Sequence, residues 1–247
     1  MKVGVFDSGI GGLSVVKSLL EHQLFQEIIY YGDTARVPYG SKDKNTIIRY
    51  AIEAVEFFKN FDIDLIIVAC NSVSAFALEE MREVSDVPVV GVVEAGILAT
   101  ANKLKEKDSD ILILGTKATI SSKAYENGLF KLGFGSFIPK ATPLFVPLVE
   151  EGIFDGEVLD VIMKYYFKDI DIPKAIILGC THFPLIESKI FAYFDYQPIM
   201  IHSGEAIVEY LENNFEFKKR FKKTKMKFFA SENPMSLKNT AKKWLNL

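Results

Sequence analysis

The stretches "LIIVACNSVSA" (residues 65–75) and "IILGCTHFPLI" (176–186) share one design, and that design decides the fold. Each begins as a run of Leu, Ile and Val, the composition of a buried strand, and breaks into a turn at a cysteine followed by polar side chains. These are the only two cysteines in 247 residues, Cys70 and Cys180, and they lie 110 positions apart. The same offset recurs elsewhere. "KVGVFDS" is matched by "DILILGT" with Thr116 opposite Asp7, and Val37-Pro38 by Val146-Pro147, each 109 positions on. Pro88 in "VPVVGVV" is matched by Pro198 in "QPIMIHS", 110 positions on. A constant spacing through four strand-like segments predicts two similar halves related by internal duplication.

Strand-like runs "KVGVF", "EIIYYG", "DLIIVA" and "VPVVGVV" alternate with stretches of helical spacing, "SVVKSLLEH" and "KNTIIRYAIEAVEFFKNF". This alternation predicts an α/β protein in which each half is a parallel sheet covered by helices. The predicted division is 1–95 plus 207–247 for a first α/β domain and 96–206 for a second. The segment after 206 has no counterpart in the repeat. It reads as a helix "EAIVEYLENNF", a strand "MKFFAS" and a closing helix "NPMSLKNTAKKWLNL" that return to the first domain. Phe57, Phe58 and Phe61, at helical spacing, are expected in a core or interface, and Trp244 on the apolar face of the last helix.

Composition narrows the function classes. Hydrophobic residues make up 49% and charged residues 25%, the balance of a globular protein, and a net charge of −3 gives no general attraction to nucleic acid or anionic membrane. The basic run 218–227 reads as a solvated loop. Two cysteines make no disulfide framework, the N-terminal segment reaches Asp7 too soon for a signal peptide, and Glu94 interrupts the most apolar window, 87–101. A cytoplasmic location is expected.

In open parallel sheets, ligands bind beyond the carboxyl ends of the strands. Asp7-Ser8, Cys70-Asn71-Ser72 and Cys180-Thr181-His182 all fall there, and facing halves would bring the two thiols together. A thiol at a helix start is expected to ionise more readily than a free one. Two such groups suit inversion of a stereocentre, where one thiolate removes a proton and the opposite thiol returns one. Asp7 and Ser8 can hold an ammonium group or orient Cys70. Asn71, Ser72, Thr181 and helix-start N–H groups can bind carboxylates. His182 can exchange a proton with Cys180, with Glu150 or Glu151 behind it. Simpler readings exist for each: an inert buried thiol, a helix-capping Asp7, a solvated glutamate. No CxxC or HxxxH spacing supports a metal site. The fingerprint GxGxxG fails at Ser14, which counts against a dinucleotide, with Asp33 then free of any ribose role. Lys117 is read as a loop residue, with no lysine in a convincing pyridoxal phosphate motif. A two-lobed amino-acid-binding protein remains as a rival, although it would have no need of a thiol in each lobe.

Together, "FDSGIGGLSV" (6–15), "YGDTARVPYG" (31–40), "ACNSVSA" (69–75), "GTKATI" (115–120) and "LGCTHFPLI" (178–186) resemble the glutamate racemases of the aspartate/glutamate racemase family, in order and over most of the chain. The resemblance implies cofactor-independent interconversion of L- and D-glutamate for bacterial peptidoglycan, a homodimer, and an active site between two α/β domains. It implies Cys70 and Cys180 as catalytic acid/base residues, serving D- and L-glutamate respectively, supported by Asp7, His182 and Glu150, the better match of the acidic pair. It implies substrate binding by Asp7, Ser8, Pro38, Tyr39, Gly40, Asn71, Ser72, Thr116, Thr119, Thr181 and His182. Ser72 departs from the threonine usual in the family, keeping the hydroxyl and losing a methyl. With no extension ahead of "KVGVFDSG", the precursor activation of some relatives is not expected. A related racemase acting on aspartate is the nearest rival.

Overall fold

The computed structural model, which describes residues 1–245, contains two all-parallel β-sheets. The first half runs β1 (Lys2–Asp7), α1 (Leu13–Glu21), β2 (Glu27–Gly32), α2 (Lys44–Phe58), β3 (Leu65–Val68), α3 (Asn71–Phe76), α4 (Leu78–Val84), β4 (Val89–Gly91) and α5 (Val92–Lys103). The second runs β5 (Ile111–Gly115), α6 (Lys117–Ser122), α7 (Ala124–Lys131), β6 (Phe137–Ala141), α8 (Phe145–Glu150), α9 (Glu157–Phe167), β7 (Ala175–Gly179), α10 (Glu187–Tyr193), β8 (Ile199–His202) and α11 (Ser203–Asn214). Then come β9 (Lys225–Ala230) and α12 (Pro234–Leu245).

The sheets are ordered β4-β3-β1-β2-β9 and β6-β5-β7-β8. Read from its other edge, the second is β8-β7-β5-β6, which is the order of the first four strands of the first sheet shifted by one repeat. The duplication is therefore a duplication of topology. Its extra strand, β9, pairs parallel with β2 from Glu27↔Lys225 to Gly32↔Ala230 and extends the first sheet. The basic run expected as a loop over 218–227 is an exposed connection through 224, and its last three residues already belong to β9.

Strands β3, β5 and β7 are buried at every residue because helices cover both faces of each sheet. Three apolar clusters result. One lies on the outer face of the first sheet, around Phe6, Phe58, Val68 and Met81. One lies on the outer face of the second, around Leu114, Phe145, Phe167 and Phe183. The third takes residues from both halves, including Val5, Ile67, Ile113 and Ile177, and makes one continuous interior between the sheets. Side chains buried this completely contribute about 1.5–3 kcal/mol each through the area removed from water. Helices α5 and α11, where the chain passes between sheets, pack on each other there. The expected division points at 95 and 206 fall inside these two helices.

Two local expectations changed. "VPVVGVV" is a strand only over Val89–Gly91, and Val92 already begins α5. Val37-Pro38 lies in the extended loop leading to a short 3-10 turn at Tyr39–Ser41, whereas Val146-Pro147 lies within α8. Of the phenylalanines, Phe58 is buried, Phe57 stacks on Tyr31, and Phe57 and Phe61 both pack at an angle against Phe229 of the added strand. Trp244 packs partly buried against the interior, and the final two residues of the closing segment lie outside the described residues. Among the described residues no helix is long and apolar enough to cross a membrane.

Candidate active site

A cavity of about 370 Å³ opens where the carboxyl ends of the two sheets face each other. The first half contributes Ser8, Tyr39, Gly40, Cys70, Asn71 and Ser72 to its wall, with Pro38 at the same loop. The second contributes Thr116, Glu150, Cys180, Thr181 and His182. Both thiols are free, buried to 6% exposure, and line this one space. Two expected residues stand behind the wall instead of in it. Asp7 is completely buried and accepts from Thr181 Oγ1 at 3.3 Å, while Thr119 hydrogen-bonds Thr116 and Ser72 from within the protein.

The sequence explains why these side chains converge. Each apolar strand gives way within two or three residues to a helical turn, so the first polar side chains after β3 and β7 emerge at the sheet edge. Cys70 occupies the position before α3, and Thr116, which the sheet registers make the counterpart of Ser8 and not of Asp7 as the offset predicted, caps α6 by accepting from Thr119 N at 3.1 Å. Ser72, Thr116 and Thr119 form a closed group of hydroxyls at 2.9–3.3 Å that joins the two halves. Glycine allows two further close approaches. A Cβ on Gly11 would sit 2.4 Å from Thr181 Oγ1 and 2.6 Å from His182 Nδ1, and one on Gly40 would sit 2.5 Å from Thr116 Cβ. Asp7 does not cap α1, whose N-terminal residue makes no side-chain cap, and instead accepts from Gly9 N at 2.9 Å.

The two thiols have different neighbours. Cys70 Sγ lies 3.5 Å from Ser8 Oγ, with Asp7 close enough to repel negative charge on it. Cys180 Sγ lies 3.7 Å from His182 Nδ1, and His182 Nε2 lies 3.1 Å from Glu150 Oε1. Of the tandem glutamates, both exposed, Glu150 is the one that pairs with the imidazole. Burial and then the Asp7 charge push the Cys70 thiol up to about 12, outweighing the Ser8 and Val73 hydrogen bonds that favour the thiolate. The expectation that a helix start would make this thiol easier to ionise is thus overturned for Cys70. Burial also raises Asp7 above the usual carboxylate range, opposed by the positive charge of His182 and the N–H groups of Gly9 and Gly12. Burial disfavours the imidazolium of His182, but Cys180, Glu150 and Asp7 together lift it to about 10.

Several contributors carried no recognisable signal. Lys117, read as a loop residue, is instead the first residue of α6 and lies at the cavity with Ser41 and Pro143, beside the two Val-Pro pairs that the repeat had marked. Asn71 is fixed from two sides: its Oδ1 accepts from Tyr125 OH at 2.7 Å, and its Nδ2 donates to Ser203 Oγ at 3.1 Å. Nothing in the spacing of Tyr125 or Ser203 pointed to Asn71, 54 and 132 positions away. Among the described residues no group of three or more His, Cys, Asp or Glu side chains is arranged to hold a metal ion.

A family model described as Asp/Glu/Hydantoin racemase matches residues 12–211. The glutamate racemase of a Nitratiruptor species is 59% identical, the match covering 99% of this chain and 96% of that protein. The crystal structure of glutamate racemase from Campylobacter jejuni subsp. jejuni is similar with a TM-score of 0.97 at 54% identity, covering 100% of this chain and 99% of that one. That of glutamate racemase from Francisella tularensis subsp. tularensis in complex with D-glutamate has a TM-score of 0.85 at 31% identity, covering 100% and 94%.

Proposed function

The chain belongs to the Asp/Glu/Hydantoin racemase family and is an amino-acid racemase, and from that premise we propose that it interconverts L- and D-glutamate without a cofactor, with Cys70 and Cys180 carrying protons on opposite faces of the substrate. The observation that carries this reading is the pair of duplicated cysteines lining one cavity from two halves of like topology. The glutamate racemase relatives, one of them solved with D-glutamate, support glutamate as the substrate over aspartate.

In the L-to-D direction the Cys180 thiolate takes the α-proton, and the electron pair left on Cα spreads into the adjacent carboxylate. The Cys70 thiol then gives its proton to the opposite face, leaving Cys180 as thiol and Cys70 as thiolate. The reverse reaction runs the same transfers backward. The neutral state favoured at Cys70 is the one a proton donor needs. His182 holds a positive charge beside the Cys180 sulfur, oriented by Glu150. Asp7, buried behind Ser8, serves the Cys70 side as proton partner. Ser8, Asn71, Ser72, Thr116 and Thr181, with the backbone of Pro38, Tyr39 and Gly40, bind the substrate's charged groups, and Thr119 braces them. On this reading the enzyme acts in the cytoplasm and supplies D-glutamate for peptidoglycan. It works as a homodimer, a state supported by the exposed apolar stripe Val158, Val161 and Tyr165 on α9.

The test is proton NMR of L-glutamate in D₂O with the purified protein and no added cofactor. Loss of the α-proton signal with appearance of D-glutamate is expected. Cys70→Ser and Cys180→Ser should each lower turnover by about 10³-fold or more, because an alcohol is a far poorer base than a thiolate. Near-normal turnover in either variant would end the two-thiol mechanism. Exchange of aspartate in place of glutamate would keep the mechanism and change the substrate.

A further inference from the structure

Asp33 follows β2 directly and is completely buried, yet it lies outside the two-thiol chemistry. Its Oδ2 accepts from Arg36 Nε at 2.6 Å and from the hydroxyl of Tyr39, while Oδ1 has no partner among the described residues. Arg36 is itself held on further sides: its other nitrogen donates to Glu53 on α2, and its guanidinium carbon lies 3.9 Å over the ring of Tyr50. Buried ion pairs add little net stability, so the physical effect of this knot is to fix geometry. What it fixes is the wall of the cleft. The Tyr39 hydroxyl is drawn toward Asp33, so that the ring is packed beside Tyr50 at 5.5 Å. The next residue, Gly40, is pressed against Thr116 of the other half, and Thr116 bonds Ser72 at 2.9 Å.

We propose that Asp33 is a positioning residue for the racemase reaction: by holding Arg36 and the Tyr39 hydroxyl it sets the Tyr39–Gly40 wall against Thr116, and with it the fit of the substrate. The role rests on the reading of this cleft as the substrate site. Asp33 touches no reacting atom. It acts through Tyr39, and the loss of its charge loosens binding in both directions alike.

A double-mutant cycle tests this. Asp33→Asn keeps the size of the side chain and loses the charge, and Tyr39→Phe keeps the ring and loses the hydroxyl. Steady-state racemisation is measured from both enantiomers for the two single variants and the double variant. For Asp33→Asn a KM rise of about tenfold is expected in each direction with kcat within about threefold of wild type. The double variant should be no worse than the poorer single one, because both changes cut the same link. An unchanged KM, a loss confined to kcat, or two effects that multiply would overturn the proposal. If Asp33→Asn melts below the assay temperature, Tyr39→Phe is read by itself: the same KM rise is expected, and an unchanged KM or a loss confined to kcat overturns the proposal. Should the wild-type protein exchange the α-proton of another amino acid, the cycle is run on that substrate, so that the choice of glutamate and the role of Asp33 fail independently.

Discussion

Cys70 and Cys180 hold equivalent places in the repeat and meet unlike surroundings. The N–H of Val73 at the start of α3 does favour a Cys70 thiolate, but burial and the neighbouring Asp7 act more strongly and raise the thiol from 9.0 to about 12. At pH 8 this shift lowers the thiolate fraction about a thousandfold, so iodoacetamide should label Cys70 about that much more slowly than a free cysteine. Mass spectrometry of the Cys180→Ser protein measures this directly, and labelling at the free-cysteine rate would show the thiol to be wetter than its burial implies. The imidazole belongs to the other side of the cleft. His182→Asn removes the charge next to Cys180 and leaves the Ser8 contact of Cys70 in place, so L-to-D turnover should fall about 10²-fold, well beyond the fall in the reverse direction. Equal losses in both directions would detach His182 from Cys180.

The elements position these residues through close contacts across the cleft. The loop between β1 and α1 carries Asp7 and Ser8 at one end and approaches the 181–182 corner so tightly that only glycine fits at Gly11. A methyl group there must displace Thr181 or the imidazole ring, at a cost of about 1–3 kcal/mol if it is taken up as packing strain. Gly11→Ala should therefore reduce kcat/KM about tenfold or more with the fold intact. Steady-state rates measured beside circular dichroism check this, and wild-type kinetics would mean that the ring moves aside freely. The elements also show where periodicity is readable. Helix α2 announces itself by its apolar spacing, and the structure adds a cap at Asp43, whose carboxylate accepts from Thr46 N at 3.1 Å. "VPVVGVV" does not, since a short apolar run has no period to say where a buried strand ends and a buried helix starts.

In the whole molecule the two halves share one interior, so a charge held in the cleft is coupled to folding. The folded protein binds a proton on His182 more tightly than the unfolded chain does, with its value lifted from 6.5 to about 10. That contribution is fully present below pH 6.5 and is lost as pH rises through about 10. Guanidinium midpoints of the wild type should accordingly fall between pH 6.5 and 10, and those of His182→Asn should fall less. Parallel declines in the two proteins would assign the alkaline loss to other groups. The shared interior also explains why an expected division inside α5 and α11 cuts through packed helices: the passages between sheets are part of the core.

The alternation of apolar runs with amphipathic stretches, and an offset of 109–110 positions between matching motifs, were enough to determine two parallel-sheet halves and to bring Cys70 and Cys180 forward. Those features are local or periodic, and burial imposes them on the chain residue by residue. The folded structure alone decided that Asp7 and Thr119 stand behind the cavity wall, that Tyr125 and Ser203 grip Asn71, and that Asp33 ties down Tyr39. It also reversed the expected ionisation of Cys70, because desolvation depends on everything packed around a group, and a helix start is only one of its neighbours.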